Sequence, residues 1–248
     1  MLKELLGVYE AGLINPGKPE CLFPETDIFN EGWLLRLVLS EWLTGSGGSG
    51  FEFLPFPEGV RAYSEGQLYT PFKARFRADK LAESNTRVDG IVGDFSIEDT
   101  KSGIVLAPDL RFIAVFEAKL YARIAPGVTN APWYDQVSRT AACLINSTLD
   151  AKPAGSYDAY PVVLYVEDKG RINPDLYTPD HVEKQIARRV QGFLKTGEPG
   201  SAVEQFARGW RDAFNNLRIH FHTWEEVLTD IGNEKLDDFY EKCKAFNE

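Results

Sequence analysis

The chain has 248 residues, of which 44% are hydrophobic, 26% charged and 12% aromatic. This is the profile of a globular protein, not of a disordered, collagenous or membrane-embedded one. Lysine and arginine number 27 against 37 acidic residues, a formal charge of −10 that argues against coating nucleic acid through a bulk positive field.

No run approaches the roughly 18 apolar residues of a membrane helix, and Met1 to Leu6 is too short and too acidic-flanked for a signal peptide, so a cytoplasmic protein is expected. Cys21, Cys143 and Cys243 are odd in number and far apart, which suits reduced thiols in packing positions better than a disulfide framework or a zinc knuckle.

From the N-terminus, residues 27–43 read as a helix with Asp27 as its cap and apolar residues at helical spacing. It ends in a glycine and serine run, 45–50, with the composition of a connector or flap. Residues 69–78 alternate Phe72, Ala74 and Phe76 with Lys73, Arg75 and Arg77, the period of a strand with one buried and one basic face. Residues 86–97 give a second strand, 103–107 a short apolar piece, and 111–121 a nearly continuous apolar strand of the type buried on both faces. A helix over 133–149 and a buried strand over 160–166 follow. Residues 178–195, 201–217, 223–231 and 234–245 read as helices, with a short extended break at 218–222. The order predicts one α/β or α+β domain over 1–248, with a central mixed sheet flanked by helices, a core over about 27–166 and a helical C-terminal extension over about 178–248.

Charge is uneven along this order. Residues 223–248 carry eight acidic and three basic side chains, whereas 71–88 carry five basic and two acidic ones. A basic patch can therefore sit on an acidic protein.

The chemistry-bearing group is Asp89 followed 28 residues later by Glu117-Ala118-Lys119. If 86–97 and 111–121 are antiparallel neighbours, the start of the first lies beside the end of the second, and Asp89 meets Glu117 and Lys119. Glu117 and Lys119 are two apart, so they share a strand face. Buried charges are unfavourable unless paired, and converging carboxylates repel. A divalent cation relieves that repulsion, and hard oxygen donors favour Mg²⁺ or Mn²⁺ over zinc. A structural ion pair is the competing reading. Asp94, of opposite pleat parity to Asp89, and Asp109, in a Pro-Asp turn, are weaker alternatives to Asp89.

Asp89 with Glu117-Ala118-Lys119, in that element order, resembles the PD-(D/E)XK nuclease superfamily, whose restriction-endonuclease-like core runs αβββαβ. The resemblance spans roughly residues 27–166. It implies a metal-dependent nuclease acting on DNA, with RNA not set aside, in restriction, defence or repair. Asp89 and Glu117 would be metal ligands, the Ala118 carbonyl another, and Lys119 a group that orients water. Glu31 shares a helix face with Leu35, Val38 and Trp42 and so points toward the sheet; it matches the first-helix glutamate that completes the metal site in many members. The alternative is a carboxylate that merely favours the helix dipole. Gln136 matches the helix glutamine of the RecB-like branch, although Thr140 stands where that branch commonly carries tyrosine; a surface amide is the competing reading. A catalytically silent nucleic-acid or protein-binding member is the alternative function.

Lys73, Arg75 and Arg77, and Arg139 one turn beyond Gln136, are candidate phosphate contacts, against ordinary solvated cations. His220 and His222 lack a further ligand at metal spacing. The apolar residues of the last helix, Leu236, Phe239, Tyr240 and Phe246, offer either an internal packing face or a homodimer or partner surface.

Overall fold

The computed structural model describes residues 25–44, 50–98, 102–125, 131–167, 171–195 and 202–247. The glycine and serine run at 45–49 and Cys21 lie outside them. The helices are α1 (Glu25–Ile28), α2 (Glu31–Thr44), α3 (Gln136–Ala151), α4 (Pro179–Leu194), α5 (Ala202–Phe214), α6 (Trp224–Ile231) and α7 (Glu234–Asn247). Strands β1 (Gly50–Phe51) and β2 (Leu54–Pro55) form a small hairpin. Seven more, β3 (Arg61–Leu68), β4 (Thr86–Gly93), β5 (Phe95–Glu98), β6 (Gly103–Leu106), β7 (Phe112–Ala118), β8 (Asp158–Tyr165) and β9 (His220–Thr223), build a mixed sheet in the order β5-β6-β3-β4-β7-β8-β9.

The sheet is organised around β7, whose seven residues are all buried. It pairs antiparallel with β4, Gly90 opposite Phe116, and parallel with β8, Phe116 opposite Val162. Helices cover both faces, which is why β7 and β8 are apolar on both. On one face α2, α6 and α7 enclose Phe116, Ala118 and Leu164 with Leu35, Trp42, Trp224 and Phe239. On the other, α3, α4 and α5 pack through Val137, Ile186, Phe206 and Trp210, while Cys143 and Leu144 of α3 meet Ile91 and Val115. Gly90 lets α2 approach the sheet closely: a Cβ there would stand 2.9 Å from Leu35 Cδ2 and 3.0 Å from Leu39 Cδ1.

The helix starts follow local hydrogen-bonding rules. Asp135 caps α3 by accepting from Ser138 N at 2.8 Å, Thr178 caps α4, and Thr223 with Glu226 forms a capping box on α6. Asp27 is not the cap predicted for the first long helix. It lies inside the short α1, and Asn30 instead accepts from Trp33 N at 3.0 Å as α2 begins.

Two larger corrections concern the sheet. The strand expected over 69–78 is a turn-rich connection, and the strand that precedes β4 is β3, eight residues earlier. Phe72 is buried but Phe76 is 60% exposed, so the alternation that suggested a strand corresponds to no pleated face. Arg75 instead curls onto Asp79 through Nε–Oδ2 and Nη2–Oδ1 contacts of 2.8 and 2.9 Å. The extended break read at 218–222 is β9, and the correction is that it joins the sheet in parallel beside β8 instead of merely interrupting a helical extension.

In α7, Leu236, Phe239 and Tyr240 face inward, and Phe246 stacks on Phe29, so the apolar set serves packing. Cys143 and Cys243 are buried free thiols. Among the described residues no helix is long and apolar enough to cross a membrane.

Candidate active site

The β4–β7 ladder stops at Gly90 opposite Phe116, while β7 continues. Its next backbone N–H groups facing that side, those of Ala118 and Leu120, would be orphaned in a mostly buried setting. Two carboxylates take them. Asp89 Oδ2 accepts from Ala118 N at 2.7 Å, and Glu31 Oε2, reaching from the first turn of α2, accepts from Leu120 N at 3.0 Å. The intervening Lys119 N turns the other way to Leu164 O at 2.8 Å, and its carbonyl accepts from the buried Trp224 indole at 3.2 Å. The place where one strand leaves another is thus filled by acidic side chains.

Glu117 and Lys119 share the next position. The Lys119 ammonium and the Gln136 amide both donate to Glu117 Oε1. Gln136 is the first residue of α3, anchored to the loop by its own N–H to Ala125 O at 3.1 Å and by accepting from Ala125 N at 3.3 Å. The structure therefore brings Asp89, Glu117, Lys119, Glu31 and Gln136 together from three strand and helix elements and the end of β7. Among the described residues no hydrogen bond reaches Asp89 Oδ1 or Glu117 Oε2.

The electrostatics are set by burial. Burial pushes the Glu117 carboxyl up to about 7, with the neighbouring Asp89 adding to the rise and Lys119 opposing it. Burial likewise pushes Asp89 up to about 6, against the Ala118 N–H and Lys119, with Glu31 and Glu65 contributing like charge. For Lys119, burial works against the ammonium, but Glu117, Asp89 and Glu31 outweigh it and hold its pKa above the ordinary lysine value. Its carboxylate neighbours thus favour the ammonium form of Lys119.

Sequence reasoning missed Glu65. It faces Asp89 across the β3–β4 ladder, where pairing runs Ser64 with Gly90 and Gly66 with Val88. Its φ of 59° is left-handed, a sparsely populated backbone state for a non-glycine residue that marks a local distortion of β3. Arg36 of α2 holds the spot, donating to Ser64 Oγ at 3.0 Å and lying 3.4 Å from Glu65 Oε1. A cleft of about 610 Å³ opens here, lined among others by Glu31, Trp33, Arg36, Glu65, Asp89 and Tyr121. With β3 assigned to the wrong residues, no sequence signal pointed to Glu65.

The remaining candidates fall outside this group. Asp94 makes a two-pronged pair with Arg111, Oδ1 at 2.8 Å from Nη2, and Asp109 lies in the turn before β7. Arg139 is committed to the β3–β4 connection: its Nη2 donates to Ser84 O at 2.8 Å, and its Nε lies 3.5 Å from Glu83 Oε2, a side chain with no solvent exposure. Arg139→Ala would leave Glu83 with fewer partners, so we expect a loss of about 1–3 kcal/mol, read as a melting temperature lower by about 2–12 °C. An unchanged melting temperature with selectively weakened DNA binding would return Arg139 to the phosphate-contact role. His222 Nδ1 lies 3.3 Å from Glu226 Oε2 and its ring stacks on Phe53, which accounts for it structurally.

The donor chemistry of Asp89, Glu117 and Glu31 suits a hard divalent cation: carboxylate oxygens, three of them without hydrogen-bond donors among the described residues, in a place where burial disfavours uncompensated negative charge. Among the described residues, no group of three or more His, Cys, Asp or Glu side chains is gathered closely enough to hold an ion as it stands. Glu117 is turned to Lys119 and Gln136 instead. No protein-family model matches the chain, and neither the curated proteins nor the solved structures contain a match.

Proposed function

We propose that the chain is a metal-dependent nuclease that hydrolyses DNA phosphodiester bonds, built on a PD-(D/E)XK, restriction-endonuclease-like core formed by α2, β3, β4, β7, α3 and β8. The observation that carries this reading is the parting of β4 from β7, which gathers Asp89, Glu31, Glu117 and Lys119 at one sheet end, with Asp89 and Glu31 lining an open cleft. A structural ion pair needs one carboxylate and one ammonium. Here an excess of carboxylates is held against its own repulsion, an arrangement that costs stability and is characteristic of functional sites.

Asp89, Glu117, the Ala118 carbonyl and Glu31 would hold Mg²⁺ or Mn²⁺. When bound, such an ion lowers the pKa of water and neutralises charge on the phosphate oxygens. Lys119 keeps its proton and donates to the attacking water or to a non-bridging oxygen as negative charge builds. Gln136, rooted at the start of α3, fixes Glu117. Trp224 holds the Lys119 carbonyl and hence the direction in which the ammonium leaves the strand.

The test is incubation of the purified protein with supercoiled and linear duplex DNA, single-stranded DNA and RNA, in Mg²⁺, Mn²⁺ or EDTA. Cleavage of DNA that EDTA abolishes is the expected result. Binding without cleavage under every metal condition would replace this reading with the catalytically silent one, and neither binding nor cleavage would end both.

A further inference from the structure

The connection between β3 and β4, residues 69–85, leaves the sheet at the same end at which β7 delivers Glu117 and Lys119, because β4 runs antiparallel to β7. Its base is firmly tied. Phe72 is buried among Tyr134, Phe193 and Phe206, Glu83 accepts from Thr70 Oγ1 at 2.7 Å, and Glu83 N donates to Phe72 O at 3.0 Å. Within it, Arg75 is neutralised by Asp79 and donates to Phe193 O at 3.2 Å. That pair shapes a turn, with Ala78 in the left-handed region at φ 65°.

What the turn presents is unusual for this protein. Phe76, at 60% exposed, is one of the two most exposed large apolar side chains among the described residues, and Lys73 and Arg77 flank it, both exposed. With Arg75 and Asp79 cancelling, the outward charge of the tip is positive on a chain whose formal charge is −10. The Phe76 ring has the Arg75 guanidinium 5.6 Å from its centroid and is otherwise open to solvent. Ring plus flanking cations is the chemistry that recognises unpaired bases on a phosphate backbone: the ring offers a stacking face and the cations track phosphates. Duplex DNA keeps its base faces stacked internally and offers phosphates alone.

We infer that the turn of Lys73, Phe76 and Arg77 docks single-stranded DNA, with Phe76 stacking on a base, and so directs the candidate active site toward unpaired or frayed substrate. The inference deepens the nuclease reading by naming the form of DNA, and it rests on that reading for its purpose but not for its test.

The test is fluorescence anisotropy with a labelled single-stranded 20-mer and the matching duplex, in EDTA so that no cleavage intervenes, on the full chain and on Phe76→Ala, Phe76→Trp and Lys73→Ala/Arg77→Ala. Phe76→Ala should weaken single-strand binding by about tenfold, with duplex affinity changed less than about twofold. Phe76→Trp should restore it. The double variant should weaken both ligands and reduce the single-strand salt slope by about 1.4, the contribution of about two phosphates. Circular dichroism melts check that exposed positions leave the fold intact. Single-strand affinity unchanged in Phe76→Ala overturns the inference. So does concentration-dependent self-association of the parent chain that Phe76→Ala abolishes, which would assign the ring to a protein contact. Because binding is read without metal, turn-dependent binding with no cleavage in Mn²⁺ would defeat the nuclease reading alone, and metal-dependent cleavage with turn-independent binding would defeat this inference alone.

Discussion

Lys119→Ala should lower metal-dependent DNA cleavage by about 10²–10³-fold, the range found when one preorganised donor to developing negative charge is removed. The ammonium is the one cation bonded to Glu117 among the described residues, so its loss acts on the carboxylate as well as on the transition state. Glu117 already has its pKa pushed up to about 7 by burial and by Asp89, with Lys119 holding it down. Without the ammonium it rises further. Cation binding requires ionised carboxylates, so parent activity should climb as pH rises through about 6 to 8. In Lys119→Ala the acidic limb should move to higher pH, leaving residual activity that recovers partly near pH 9. A merely structural lysine predicts a lower melting temperature with an unshifted pH profile, and that result would remove Lys119 from the chemistry. Lys119→Arg is the conservative control: it keeps the charge beside Glu117, so its acidic limb should stay near the parent's even though the guanidinium fits the site poorly.

The parts of this arrangement that could be read from sequence are those where burial writes itself into residue type. Phe112–Phe116 is apolar throughout because helices cover both faces, so a glutamate and a lysine just after it stand out. The helix-period face of α2 is apolar at Leu35, Val38 and Trp42, which aims Glu31 at the sheet, and its carboxylate reaches Leu120 N. β3 could not be read in the same way. Arg61–Leu68 lies toward the side of the sheet where only two short strands follow, most of its residues are partly exposed, and its sequence alternates no hydrophobic set. The residues just after it did alternate, but Phe72 and Phe76 point to opposite fates, one into the helical layer and one into solvent. Misplacing β3 hid Glu65, whose position opposite Asp89 depends on strand register. The partners of Arg139 were hidden for a related reason. Its sequence position near the start of α3 suited phosphate binding, while its partners, Ser84, Asn85 and Glu83, come from a connection about 55 residues away.

Asp89→Asn should abolish cleavage yet make the metal-free protein more stable, and this combination separates a functional carboxylate from a structural one. In the folded state burial, with Glu31 and Glu65 adding like charge, raises Asp89 from 3.8 to about 6. The folded protein therefore binds this proton more tightly than the unfolded chain, so the group's contribution is fully favourable below about pH 4 and is lost as pH rises through about 6. At pH 7.5 the ionised side chain costs on the order of 1–3 kcal/mol. The amide removes the charge and keeps a side-chain oxygen to accept from Ala118 N, whose bond to Asp89 is 2.7 Å. The melting temperature in EDTA at pH 7.5 should rise by about 2–12 °C, and the gain should shrink toward pH 5, where the native carboxyl is already protonated when folded. Saturating Mn²⁺ should stabilise the parent protein by about 2–3 kcal/mol at a hundred times its dissociation constant and Asp89→Asn by much less, since a ligand is gone. If Asp89 served only to tie β7 to β4, its charge-assisted bond would be lost, the variant would melt lower at pH 7.5 in EDTA, and Mn²⁺ would leave both proteins unmoved.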